Sequence, residues 1–123
     1  MNDEKSSWRK VTSGIPQGSV LGPLLFVLYI NDLPDNLQNE SEIYLYADDT
    51  KIFRPIFNES DCLKLQGDIH LMHQWSEKWL LKFHPDKCKT MRIGLSKIER
   101  YDYSLKEGFP SMKSSEGKPS FKL

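Results

Sequence analysis

The eleven residues from Ile43 to Phe53, IYLYADDTKIF, constrain the fold more than any other stretch. Aromatic and β-branched residues flank a polar centre at Asp48, Asp49 and Thr50, the pattern of two strands joined by a tight turn. On a flat strand adjacent side chains point to opposite faces, so neighbouring aspartates there could not share a metal ion. At a bend both carboxylates can lean to one side, where two close anions disfavour each other unless a cation neutralises them. Magnesium suits that need, because it takes hard oxygen ligands and keeps water or substrate phosphate in its remaining positions. The plainer alternative is a turn that uses aspartate as turns commonly do.

A second segment, Ser13 to Gly22 (SGIPQGSVLG), is rich in Gly, Pro and Ser and leads into an apolar run. The pattern predicts a helix from Ser19 to about Asp32, with Ser19 accepting from first-turn N–H groups and Pro23 inside the first turn. Because it is apolar nearly all round, this helix is expected to be buried on most sides. Its free N-terminal N–H groups favour a phosphate, and Gln17 offers an amide to a base or sugar edge. An ordinary capped loop has the same composition.

Further on, Asn58 or Ser60 caps a predicted long helix reaching about Lys82, with Cys62, Leu65, Ile69, Met72 and Trp79 at three- and four-residue steps. Gly67 costs that helix about 1 kcal/mol relative to alanine. Pro85 ends it, and a short strand from Cys88 to Ile93 follows, closed by Gly94. Residues 1–10 read as a flexible segment, 11–97 as the folded domain, and 98–123 as a divergent tail, largely disordered at its end.

Lysine plus arginine equals aspartate plus glutamate at 17 each in the 123 residues, so bulk charge argues for neither nucleic acid nor an anionic membrane. The balance hides an asymmetry: the first fifty residues carry 3 basic and 8 acidic side chains, the remainder 14 and 9. An acidic cation-binding centre beside a basic surface for phosphate fits that division, as do two differently charged solvated faces. Cys62 and Cys88 can neither staple a fold nor complete a zinc site, and no secretory leader opens the chain. Val20 to Ile30 holds nine apolar residues in eleven but is far short of the roughly 20 that a membrane span requires. A reduced, intracellular protein without a membrane helix is expected.

Other side chains carry alternatives. His70 and His73 lie three apart on the long helix without an evident third ligand, so no zinc site is expected. Trp75 and Trp79 could stack on bases or pack in the core. Lys78, Lys82, Lys87, Lys89 and Arg92 could track a phosphate backbone or form a solvated face.

In this order, VTSGIPQGSVLGPLLFVLYINDLP, IYLYADDTKIF and QWSEKWLLKFHPDKCKTMRIG resemble the reverse transcriptases of non-LTR retrotransposons, especially LINE- and jockey-like elements. The likeness runs from about Trp8 to Gly94 and covers the palm motifs conventionally lettered B, C and D. It implies an α+β fold, a partial polymerase palm in which a β-hairpin and short antiparallel strands pack with two main helices. The implied reaction is attack of a primer 3′-hydroxyl on the α-phosphate of a deoxynucleotide, with two magnesium ions as cofactors. By the same resemblance, Asp48 and Asp49 are metal-site carboxylates and Ala47 lies near the primer end. Tyr46 orients the turn, and Gln17, Gly18 and Ser19 belong to the substrate- and template-binding loop. Lys87 matches a lysine that protonates or neutralises the leaving pyrophosphate.

RNA template, DNA primer and deoxynucleotide are the implied partners, a nuclear location is in keeping with them, and exposed palm surface would favour self-association. The palm segment that supplies a further metal-binding aspartate has no counterpart before Trp8. The expectation is therefore a fragment inactive alone. The alternatives are a retrotransposon-derived remnant that binds nucleic acid or protein without catalysis, and a pseudogene product.

Overall fold

The computed structural model describes residues 7–10, 12, 14, 18–94, 101–106, 110–114 and 121–122. The chain divides into two compact units, Met1–Ile30 and Asn31–Leu123. The sequence-based expectation of flexibility for 1–6, and of disorder for 115–120 and 123, falls outside the described residues.

The first unit holds one helix, α1, Leu21–Ile30. It is shorter than expected at both ends. Ser19 acts at its start, where its Oγ accepts from the Leu21 N–H at 3.2 Å. Burial on most sides is not what the structure shows: Leu21, Leu24, Leu25, Val27, Leu28 and Tyr29 are all exposed, and only Gly22 and Ile30 are buried. Among the described residues of this unit there is no second helix or strand to cover an all-apolar helix.

The second unit is built on a hairpin and a long helix. Strands β1 (Glu42–Tyr46) and β2 (Asp49–Phe53) pair antiparallel, Glu42 opposite Phe53 through Tyr46 opposite Asp49. Ile43, Leu45, Thr50 and Ile52 share the inner face, and Glu42, Tyr44, Tyr46, Asp49, Lys51 and Phe53 the outer. Helix α2 (Glu59–Trp79) follows. Asn58 rather than Ser60 caps it: its side chain accepts from Asp61 N at 3.1 Å, while Asp61 Oδ2 accepts from Phe57 N and Asn58 N. The Phe57 N–H bond above all, assisted by Asn58 N–H, Arg54 and Lys64, holds the Asp61 carboxyl below its usual range against the opposing effect of desolvation. The helix stops at Leu80, which adopts the left-handed conformation at φ +59°.

The buried face of α2 comprises Cys62, Ile69, Met72 and Trp75 with the polar Gln66, Asp68 and Ser76. Trp75, not Trp79, is the deeper tryptophan, and its Nε1–H donates to Asp32 Oδ1 at 2.9 Å. Asp68 is fully buried, and its Oδ1 accepts from Gln38 N, Asn39 N and Asn39 Nδ2 at 3.0–3.1 Å, tying the loop before β1 onto the helix. Gly67 is the neighbour that admits this loop, since a β-carbon there would lie 3.2 Å from Asn39 Nδ2.

The expected strand over 88–93 is reduced to β3, Lys89–Thr90. It pairs with β4, Lys113–Ser114, in parallel rather than antiparallel sense. The intervening chain, residues 91–112, is long enough for the crossover that parallel pairing demands, and a two-residue partner ends the ladder at Thr90. The tail region contains further packing that its composition does not advertise. Gln66 clamps Ser104 on both sides, Nε2 donating to its carbonyl at 2.7 Å and Oε1 accepting from its N–H at 3.0 Å. Leu105 and Met112 are buried, and burial together with a hydrogen bond to Cys62 pushes the Tyr103 phenol well above its usual pKa. Finally β5, Phe121–Lys122, pairs antiparallel with β2, giving the sheet order β1-β2-β5.

Candidate functional site

The acidic pair falls at the bend. β1 ends at Tyr46 and β2 begins at Asp49, so Ala47 and Asp48 form a two-residue connection. Ala47 adopts φ +50°, the left-handed region that tight hairpin turns require. Asp48 therefore stands in the turn itself, exposed, while Asp49 is the first ladder residue, half-buried and directly opposite Tyr46. The two carboxylates are released from strict strand alternation because only one of them belongs to the strand.

The outer face beside them is aromatic. Tyr46 is 83% exposed, and the Tyr44 and Phe53 rings stack with centroids 5.4 Å apart and planes 13° from parallel. Lys51 lies opposite Tyr44, and the Tyr44 hydroxyl bonds Glu42 Oε2 at 3.4 Å. Beneath the turn, Thr50 is completely buried opposite Leu45. Buried Thr50 below the turn and exposed Asp48 at its tip give the hairpin an anchored base and a solvent-facing end.

The remaining residues singled out by sequence are not gathered at this turn. Gln17 lies outside the described residues. Gly18, at φ +80°, and Ser19 belong to the unit that ends at Ile30, so they are described apart from the hairpin. Lys87 closes a 3-10 turn, Pro85–Lys87, with its side chain exposed and its N–H bonded to the His84 carbonyl. Among the described residues, no group of three or more His, Cys, Asp or Glu could hold a metal ion. His73 instead approaches Glu77 at 3.7 Å, and Cys62 and Cys88 are buried free thiols.

Sequence reasoning missed the side chains that hold the scaffold under the turn, Gln66 and Asp68. A signal existed: two polar residues on an otherwise apolar helical face, one of them preceded by a mid-helix glycine. Such residues are retained inside only where they find partners.

This hairpin with an acidic tip, followed by a long helix and a short strand, belongs to a mixed α+β fragment consistent with a partial polymerase palm. The family model of reverse transcriptase (RNA-dependent DNA polymerase) matches residues 1–119, and the chain belongs to that family. Its similarity lies with non-LTR retrotransposons. The RNA-directed DNA polymerase from mobile element jockey of Drosophila melanogaster is 32% identical over 94 residues, covering 71% of this chain and 10% of that protein. The probable RNA-directed DNA polymerase from transposon X-element of the same species is 30% identical over 96 residues, covering 75% and 11% respectively. That from transposon BS is 33% identical over 98 residues, covering 68% and 10%. The chain thus spans about a tenth of the length of these relatives. No solved structure matches it.

Proposed function

We propose that this chain is the part of an RNA-directed DNA polymerase palm that presents two carboxylates, Asp48 and Asp49, toward the site of nucleotidyl transfer. The observation that supports this is the position of the pair at the bend of an antiparallel hairpin in a chain of this family. In the whole polymerase, RNA template, DNA primer and deoxynucleotide would meet at this turn, with Gln17, Gly18 and Ser19 bordering the nascent base pair. Tyr46 and Ala47 would set the orientation of the turn, and Lys87 would act at the pyrophosphate. Asp48 and Asp49 would hold magnesium in the whole polymerase, and the ion would supply positive charge for nucleotidyl transfer there. The described residues supply two carboxylates and no third acidic, histidine or cysteine ligand beside them, which falls short of a two-ion site. On this reading the chain does not polymerise alone.

Primer extension with the purified chain, magnesium, an RNA template and a DNA primer tests the proposal. No incorporation is expected above the level of the Asp48→Ala variant. Incorporation that Asp48→Ala abolishes would overturn inactivity while supporting the assignment of the turn. The incomplete ligand set equally favours a second reading, a retrotransposon-derived remnant that binds nucleic acid or protein without catalysis. Retention of a labelled primer–template in a mobility shift, unchanged by Asp48→Ala, would favour the remnant.

A further inference from the structure

In the parallel ribbon of β3 and β4, Lys89 stands in register with Lys113. Each of these exposed lysines follows a buried residue, Cys88 in one segment and Met112 in the other, and before those stand Lys87 and Ser111, also exposed. The ribbon therefore has an inner row, Cys88 and Met112, and an outer row of three lysines and a serine. Hydrogen bonds anchor the inner row: the Met112 N–H donates to the Tyr103 carbonyl at 2.8 Å and the Cys88 thiol to the His84 carbonyl at 3.4 Å. Neighbouring strands lie about 5 Å apart, so Lys89 and Lys113 rise from adjacent backbone points on one face, where like charges repel. Among the described residues, none of Lys87, Lys89 and Lys113 has an ion-pair partner. Exposed Asp86, which lines a shallow recess with Pro110, Ser111 and Lys113, comes within ion-pair distance of none of the three.

We propose that this outer row is a contact site for the phosphodiester backbone of single-stranded nucleic acid, with one phosphate shared by Lys89 and Lys113. The inference rests on the nucleic-acid-binding reading above and makes no use of Asp48 or Asp49. A phosphate held by both lysines removes their mutual repulsion. An anion that repeats along a chain also engages Lys87, two residues and roughly 7 Å along the strand. Contacts of this kind are electrostatic and read no base sequence. A membrane surface fits less well, because peripheral attachment sets apolar side chains among the basic ones, and the apolar members of this ribbon are the buried ones.

The test uses the full chain and a labelled single-stranded oligodeoxythymidine, followed by fluorescence anisotropy over a range of salt concentrations and by backbone amide shifts. In the wild type, shifts are expected over 87–90 and 111–113, and shifts centred elsewhere overturn the proposal without any variant. Lys89→Gln combined with Lys113→Gln should weaken binding roughly tenfold at ~0.1 M salt. It should also lower the slope of log K against log salt by about 1.4, since each single-strand phosphate contact contributes about 0.7. Arginine at both positions should hold the affinity within about twofold, as should Lys64→Gln at an exposed position on α2, whereas Asp86→Asn should tighten binding. Wild-type binding that survives in the double glutamine variant overturns the ribbon as the site and leaves nucleic-acid binding standing. No binding of the oligonucleotide by the wild type overturns both. Phosphatidylserine vesicles captured through the same two lysines in preference to the oligonucleotide would make the partner a membrane surface. Displacement by inorganic phosphate beyond the effect of chloride at equal ionic strength would make it a single small anion. Either result overturns the proposal.

Discussion

Ala47 bears the tightest backbone constraint in the hairpin, because a β-carbon at φ +50° crowds the following carbonyl. That conformation costs roughly 1 kcal/mol, of which glycine's greater chain entropy returns about half. Ala47→Gly should therefore raise stability by ~0.5 kcal/mol in urea denaturation, and Ala47→Val, which is β-branched, should lower it by at least ~1 kcal/mol. Asp68 presents the opposite case, a buried carboxylate oxygen taking three N–H donors. Asp68→Ala strands those donors and should cost roughly 3 kcal/mol, with amide exchange at Gln38 and Asn39 rising before that of the helix. Asp61 sets a pH dependence. Its folded pKa is depressed, so its stabilisation is present above the ordinary carboxylate range and lost as pH falls through the lower native value. Asp61→Asn should flatten the acid limb of a stability–pH curve and leave its neutral region sloping as before.

Elements defined by period and by caps were legible in the sequence. The hairpin follows from its aromatic and β-branched run around DD, and α2 from apolar spacing with Asn58 at its start. What failed was whatever depends on partners distant in sequence. The strand expected over 88–93 shortens to two residues because only Lys113 and Ser114 lie beside it, and a parallel partner from the tail carries no local signature. The same holds for Gln66, whose two bonds to Ser104 cross the chain from mid-helix to tail. Gln66→Ala should free residues 101–106, seen as faster exchange of the Ser104 amide, at a stability cost of about 1–3 kcal/mol. For the site, the turn and its two acids could be read in advance. The pairing of β5 with β2 could not, since nothing near residue 122 marks a strand destined for that edge.

At the scale of the molecule, two features pull against independent stability. α1 exposes Leu24, Val27 and Leu28 on an apolar surface, and the hairpin leaves the outer edge of β1 without a strand partner among the described residues. The chain is expected to bind a hydrophobic dye and to self-associate as concentration rises; a dye-silent monomer by sedimentation at the highest soluble concentration would contradict this. No helix among the described residues is long and apolar enough to cross a membrane. The central claim is that the acidic bend is a metal-facing element of a polymerase palm. Manganese titration of the full chain, read by broadening of amide signals, tests it most directly. The account predicts broadening centred on Asp48 and Asp49 that vanishes in Asp48→Ala. Broadening spread evenly over exposed carboxylates such as Asp35, Glu59 and Asp86, and unaltered by that substitution, would contradict it.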